Sequence, residues 1–377
     1  MFLYLMFFTI SLKEISENMI FFFSTFVLIT WVMLNKFNNL IYNNMMIMNL
    51  ILILIILFLN SLILWKFYLL YEFIMIPMII FLMSWGLNPA RLSASLYLMV
   101  YMCLFSLPCL LVMIMNMKIF FTNMQHSMFV LNFFSKFMMV LMFLVKIPLF
   151  SLHYWLPKAH TEASTMGSII LASGLLKMGG AGFWKMILFL EFTLMNYSII
   201  FYLVLFSSMV CLFQTDFKKM IALISVFHMS LSISIINVMS LNSYLSFIYL
   251  NMAHILSSSI LFYFSGFLYS INKTRLIFMM MMNNNSKIFI FLIISILMNL
   301  GIPPFFTFFV EILSLSIMFL KNFFMFIFIL FIFIFSAIFN LFIINMMKSL
   351  KMKSLKMNFF LPFYYFFFFS LMMWLSA

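Results

Sequence analysis

Stretches of roughly 20 residues without a charged side chain recur along this chain, and they restrict its fold more than any other feature. A helix of that length crosses a bilayer core about 30 Å thick, and in lipid only helices and closed barrels satisfy their own backbone. Strands of a membrane barrel alternate apolar and polar at every second residue, whereas these runs are apolar throughout. The chain is therefore expected to be an all-α polytopic membrane protein. With 377 residues, 67% hydrophobic and 7% charged, it has too few polar side chains to cover a soluble fold; an ordinary soluble domain carries about 25% charged residues.

Apolar runs fall near 1–12, 19–34, 44–64, 67–85, 94–115, 127–145, 166–190, 194–214, 219–240, 243–270, 288–302, 304–320, 322–346 and 359–375. The first is too short to span unaided, so about 13 transmembrane helices are expected. No stretch of mixed polarity is long enough for a separate aqueous core, which makes residues 1–377 a single membrane domain. Between them, the segment Pro148–Pro157 is neither apolar enough for a clean span nor polar enough for a solvated loop, and it reads as a broken helix inside the membrane. Pro303-Pro304 either divides two spans or breaks one longer helix.

The net charge of +13 comes from Lys residues scattered between the spans, with a cluster at Lys348, Lys351, Lys353 and Lys356. No basic, aromatic-interleaved module suited to nucleic acid is present, so phospholipid head groups are the expected neighbours. Cys103, Cys109 and Cys211 stand singly and read as packing residues, without the spacing of a disulfide framework, a zinc site or an iron–sulfur cluster. No signal peptide or Arg-rich transit segment is read, and the bias toward Phe, Met, Ile and Asn is that of animal mitochondrial coding sequences.

Against this background six ionisable residues stand out: Glu72, Lys146, Lys177, His228, His254 and Glu311. Each costs about 2.5–3.5 kcal/mol at mid-membrane, so each calls for a partner or a function. Burial penalises a lone Lys ammonium while a nearby carboxylate restores it, so a Glu and a Lys together form a switchable stop for protons. Simpler roles exist for most of them. Glu72, Lys146 and Lys177 could snorkel toward the interface, and each histidine could simply hydrogen-bond across helices. Glu311 has no cation nearer in sequence than Lys321. Six such groups on successive spans are better explained together, as a proton relay.

Other chemistries fit poorly. His153, His160 and Glu162 lack the spacing of a metal-binding helix face, since a proline intervenes. Gly179-Gly180-Ala181-Gly182 follows no strand and is not a dinucleotide fingerprint; it either ends a helix or allows close packing. No metal and no cofactor site is expected in the chain.

Three stretches carry a family resemblance. Lys146-Ile147-Pro148-Leu149 runs on through His153-Tyr154-Trp155-Leu156-Pro157-Lys158-Ala159-His160-Thr161-Glu162-Ala163, then Gly167-Ser168 and Leu175-Leu176-Lys177-Met178-Gly179-Gly180. Trp85–Leu92, Gln214–Ala222, Ala253-His254 and Gly301-Ile302-Pro303-Pro304 leading to Glu311 add support. Over most of residues 65–320 the chain resembles the antiporter-like membrane subunits of respiratory complex I, mitochondrial NADH:ubiquinone oxidoreductase, which are related to multisubunit cation/proton antiporters. The resemblance implies inverted five-helix repeats, a place in the mitochondrial inner membrane beside the other complex I membrane subunits, and no redox centre here. NADH, FMN, iron–sulfur clusters and ubiquinone would belong to partner subunits. By motif position Glu72 matches the family's membrane glutamate, Lys146 its broken-helix lysine, Lys177 its bridging lysine and Glu311 its exit-side glutamate, with His228 and His254 on the connecting polar axis. Two departures are visible: Ser164 stands where the family has proline, and Ala181 where it has an aromatic residue. The chain is also short for the family.

Overall fold

A computed structural model describes residues 42–85, 90–116, 122, 124, 131–191, 197–277 and 286–348. All the main elements among them are helical, as an apolar chain in lipid requires of its backbone. They form two compact units, one from Met1–Ile147 with Glu162–Thr193, the other from Pro148–Thr161 with Leu194–Ala377.

The first unit is built from α1 (Tyr42–Asn60), α2 (Leu64–Trp85), α3 (Arg91–Met115), α4 (Phe133–Lys146), α6 (Thr165–Ile170) and α7 (Leu176–Leu190). Between α6 and α7 the backbone widens into a π-helical segment, Leu171–Leu175, so that the span near 166–190 is continuous but not uniform. Helix α4 packs against α3 and α7, and α1 against α2. Two lysines of this unit close helix ends. Lys185 Nζ donates to the carbonyls of Leu59, at 2.6 Å, and Ser61, at 3.1 Å, where α1 ends. Lys136 Nζ donates to Leu190 O at 2.9 Å, where α7 ends. A cation on the last carbonyls satisfies orphan acceptors and complements the helix dipole.

The second unit contains α8 (Tyr197–Leu212), α9 (Phe217–Ile236), α10 (Leu241–Asn272), α11 (Ser286–Leu300), α12 (Phe306–Lys321) and α13 (Phe323–Lys348). Helix α9 lies between α8 and α10, and α12 packs on α10, α11 and α13. Ser240 and Ser243 form a reciprocal capping box at the start of α10. Phe217 N donates to Arg275 O and Ile277 N to Thr215 O, which ties the start of α9 to the end of α10. Buried serines are numerous in α9 and α10, and their hydroxyls turn back onto carbonyls three or four residues earlier, for example Ser225 to Ala222 and Ser258 to His254. This is how a hydroxyl is satisfied on a helix without a partner from elsewhere.

The broken helix is observed. Helix α4 stops at Lys146, Ile147 is extended at φ −86° and ψ 93°, and the chain becomes helical again only in α5 (Trp155–Glu162). Pro148 is the cause, because the residue before a proline is pushed out of the α region. Pro157 is tolerated in the first turn of α5, where its missing N–H has no helical partner to lose. Ser164 then caps α6, its hydroxyl accepting from Gly167 N at 3.2 Å. The serine at the family's proline position thus still marks a helix start.

Six helices among the described residues are long and apolar enough to cross a membrane, at 64–83, 91–115, 165–190, 217–236, 242–270 and 323–346, and two apolar ones are shorter. This is fewer than the 13 or so expected. The runs near 1–12, 19–34 and 359–375 lie outside the described residues. Those near 127–145, 288–302 and 304–320 form helices of 14, 15 and 16 residues. The first of these is cut by Pro148. Pro303-Pro304 separates α11 from α12, with Gly301 at φ +69° turning the chain between them.

Candidate functional site

Glu72, Lys146 and Lys177 all fall in the first unit. Lys146 is the last residue of α4 and only 1% exposed, buried where the helix breaks. Its Nζ donates to Tyr71 O at 3.3 Å and sits over the Tyr71 ring, 3.2 Å from the centroid. Glu72, the next residue on α2, is half-buried, and its Oε1 is enclosed without a hydrogen-bond partner. The carboxylate acts on Lys146 through its Coulomb field, and also on Tyr68, Tyr71 and Cys109. The lysine and glutamate are therefore electrostatic neighbours, with the ammonium seated on the residue beside the carboxylate.

Lys177 is 2% exposed and is the second residue of α7, directly after the π segment. A π-turn shifts the helical register, and such turns recur at functional positions. The glycines that follow explain how α7 meets the broken helix. A β-carbon on Gly179 would stand 2.9 Å from Lys146 Cβ and 3.1 Å from its carbonyl carbon, and one on Gly182 would run into the Phe143 ring. Residues 179 and 182 on one helix face residues 143 and 146 on the other, a matched three-residue spacing on each side. The glycine-rich run does not end the helix, which continues to Leu190. It lets two backbones approach beside Lys146.

His228, His254 and Glu311 meet in the second unit, around a cavity of about 20 Å³ that Ser257 and Thr307 also line. That volume holds a water molecule, and the lining offers it polar partners. The two imidazoles lie 5.5 Å apart between centroids, His228 from α9 and His254 from α10. Glu311 comes from α12, and its carboxylate rests on the Cα side of Gly301, where any β-carbon would collide with it. Thr307 Oγ1 donates to Met298 O at 2.7 Å and ties the start of α12 to α11. Three residues far apart in the sequence thus share one small, mostly apolar-walled cavity.

Two residues escaped notice as site residues in the sequence. Tyr71 is fully buried, and its hydroxyl donates to Met142 O at 2.8 Å. As an aromatic within an apolar run it gave no signal. In the sequence His160 reads only as an ill-spaced metal ligand. It is fully buried on α5, stacked on Phe262 at 4.5 Å and 7°, and neither ring nitrogen has a hydrogen-bond partner. Lys218 of α9, 8% exposed, acts on it electrostatically. A histidine inside a long family motif was the available signal. His153, by contrast, contacts Phe150 O through Nδ1 and stacks between Phe150 and Tyr154. Among the described residues no group of three or more His, Cys, Asp or Glu is arranged to hold a metal ion.

Fold and site together define a polytopic helical membrane protein with a discontinuous helix at a buried lysine and ionisable side chains held between its spans. The chain belongs to the NADH:quinone oxidoreductase/Mrp antiporter transmembrane family, whose model matches residues 60–340. Among its relatives is NADH-ubiquinone oxidoreductase chain 4 of Caenorhabditis elegans, 34% identical over 254 residues, covering 66% of this chain and 61% of the relative. The protein of the same description from Artemia franciscana is 36% identical over 253 residues, covering 65% of this chain and 64% of the relative. The chain thus matches less than two thirds of the length of these relatives. A chain of respiratory complex I from Thermus thermophilus with bound NADH has the same fold, at TM-score 0.76 and 20% identity over 95% of this chain and 79% of that one. So does a chain of an archaeal membrane-bound sulfane sulfur reductase, at TM-score 0.78 and 15% identity over 88% and 72%. The family resemblance read from the motifs is borne out.

Proposed function

We propose that this chain is a proton-translocating membrane subunit of respiratory complex I, NADH:ubiquinone oxidoreductase, in the mitochondrial inner membrane. The observation that carries the reading is Lys146, buried at the end of a helix interrupted inside the apolar core, with the Glu72 carboxylate acting on it electrostatically. A buried ammonium at a helix break is costly, so its presence there calls for a function. Its proton can leave when the neighbouring carboxylate changes position or charge. The family match and the names of the curated relatives supply the context.

In this reading Glu72, Lys146, Lys177, His228, His254 and Glu311 are the proton-carrying side chains, with the water-sized cavity beside Glu311 as one station. Residues 1–377 form one membrane domain of about 13 spans containing inverted repeats, with its antiporter-like core at 65–320. NADH, FMN, iron–sulfur clusters and ubiquinone belong to partner subunits, and the energy of quinone reduction there shifts the Glu72–Lys146 and Lys177–Glu311 couplings. The other membrane subunits and phospholipids are the neighbours.

Lys146→Met tests this directly. In membranes where the variant complex assembles to the normal level, as seen on a native gel, proton pumping and coupled turnover should both fall. Normal pumping by a fully assembled variant rejects the assignment. The breadth of the matching family also supports a second reading, a stand-alone cation/proton antiporter. Cation-for-proton exchange by the isolated chain in liposomes without NADH would favour that reading.

A further inference from the structure

The ammonium of Lys146 is held by a residue that cannot take its proton. We propose that Tyr71 is a positioning residue for Lys146, its ring face and main-chain carbonyl forming a seat where the ammonium waits before it engages Glu72. The inference rests on the proton-carrying reading of Lys146.

Three observations define the seat. The Lys146 Nζ lies 3.2 Å from the Tyr71 ring centroid and 3.3 Å from Tyr71 O. An ammonium over an aromatic face is attracted by the ring quadrupole, and the attraction grows where water is excluded. Tyr71 is 0% exposed, so this contact is dry.

The ring is also fixed relative to the lysine it holds. Its hydroxyl donates to Met142 O at 2.8 Å, one turn before Lys146 on the same helix. Phe143 of α4 meets it edge-on, with centroids 5.4 Å apart and planes at 79°. Both ties come from the helix that ends in Lys146, so the ring is held in place by that helix.

A ring face and a peptide carbonyl stabilise a cation but offer no site for its proton. The adjacent Glu72 carboxylate offers oxygens that can bear one, and its Oε1 is enclosed without a hydrogen-bond partner. Successive helical residues are about 100° apart around the axis, so a rotation of the flexible lysine stem carries Nζ from one to the other. Tyr71 therefore separates holding the charge from transferring the proton. An apolar residue of similar bulk would keep the main-chain carbonyl but remove the ring face, and so bias the ammonium toward a standing ion pair with Glu72.

The test uses the intact complex in its membrane with Tyr71→Phe and Tyr71→Leu, both normalised to assembled complex on a native gel. Tyr71→Phe keeps the ring face and should pump at nearly the normal rate. Tyr71→Leu should lower the coupled kcat by about two- to tenfold, the range expected for loss of one cation–π contact. The quinone KM should not change, because the seat lies away from redox chemistry. Equal losses in the two variants, or normal coupled turnover in Tyr71→Leu, overturn the proposal. Should Tyr71→Leu fail to assemble, ring-fluorinated phenylalanines at position 71 keep the shape while depleting the π face. Turnover that falls with fluorination supports the seat, and turnover indifferent to it sinks the proposal. If Lys146→Met abolishes pumping while the ring series has no effect, only Tyr71's role fails; normal pumping in Lys146→Met removes both readings.

Discussion

Gly179 lies against the backbone of Lys146 so closely that a β-carbon there would stand 3.1 Å from the Lys146 carbonyl carbon. The helix carrying Lys177 and the helix ending in Lys146 are thereby held at one separation, with Gly179 adding no side chain of its own to the contact. Gly179→Ala should push the end of α4 away and cost about 1–3 kcal/mol, the usual penalty for overpacking. Reduced assembled complex and an earlier thermal transition on heating detergent-extracted membranes would be the readout. Gly179→Val should be worse.

The second glycine of the pair makes a prediction about coupling between residues. A β-carbon on Gly182 would overlap the ring of Phe143. Gly182→Ala alone should destabilise the first unit, and Phe143→Leu alone should do so by leaving a void. Combined, they should lose less than the sum, since the smaller residue makes room for the methyl group. A double-mutant cycle on thermal stability reads the difference, and strict additivity would mean that the two residues do not share a space.

Lys185 should prove structural, in contrast to Lys146. Its ammonium is committed to the carbonyls of Leu59 and Ser61. Lys185→Met leaves both acceptors short of a donor, at about 1–3 kcal/mol for each one that stays buried and unsatisfied. The amount of assembled complex should therefore drop, while pumping per assembled complex stays normal. A pumping defect at full assembly would assign Lys185 to the relay.

Gly301→Ala should disturb Glu311 specifically. The position has φ +69°, which a side chain adopts only at a cost, and the Glu311 carboxylate occupies the place of the β-carbon. Glu311 must then swing away from the cavity that it shares with His228 and His254. Coupled turnover should fall severalfold, and more than in Ile302→Ala, where the neighbouring exposed side chain is trimmed without touching the carboxylate.

His160→Phe separates packing from proton chemistry. The imidazole stacks on Phe262 and makes no hydrogen bond through either nitrogen, so a phenyl ring should fit with a stability change of under about 1.5 kcal/mol. A fall in pumping at unchanged thermal stability would add His160 to the relay. Normal pumping would leave it a packing residue.

Much of this could be read from the residues alone. Helicity in a membrane followed from the length of the apolar runs. The position of the broken helix followed from Pro148, because a proline excludes its predecessor from the α region whatever surrounds it. Glu72, Lys146, Lys177, His228, His254 and Glu311 could be singled out because the cost of burying an ionisable group is large and local. Those properties belong to single residues or short segments, so one dimension is enough to reveal them.

Only the tertiary structure decided which groups meet. Close packing of Gly179 and Gly182 depends on what lies across the helix interface, and the residues alone are also compatible with a helix end. The seat of Lys146 on Tyr71 joins residues 75 positions apart, and the cavity at Glu311 joins four helices. Lys185 is not among the residues that stand out in the sequence, although it too is a cation within an apolar run. Lys185 closes a helix end and Lys146 rests on an aromatic ring, and the difference is set by where neighbouring backbones run, which only packing in three dimensions determines.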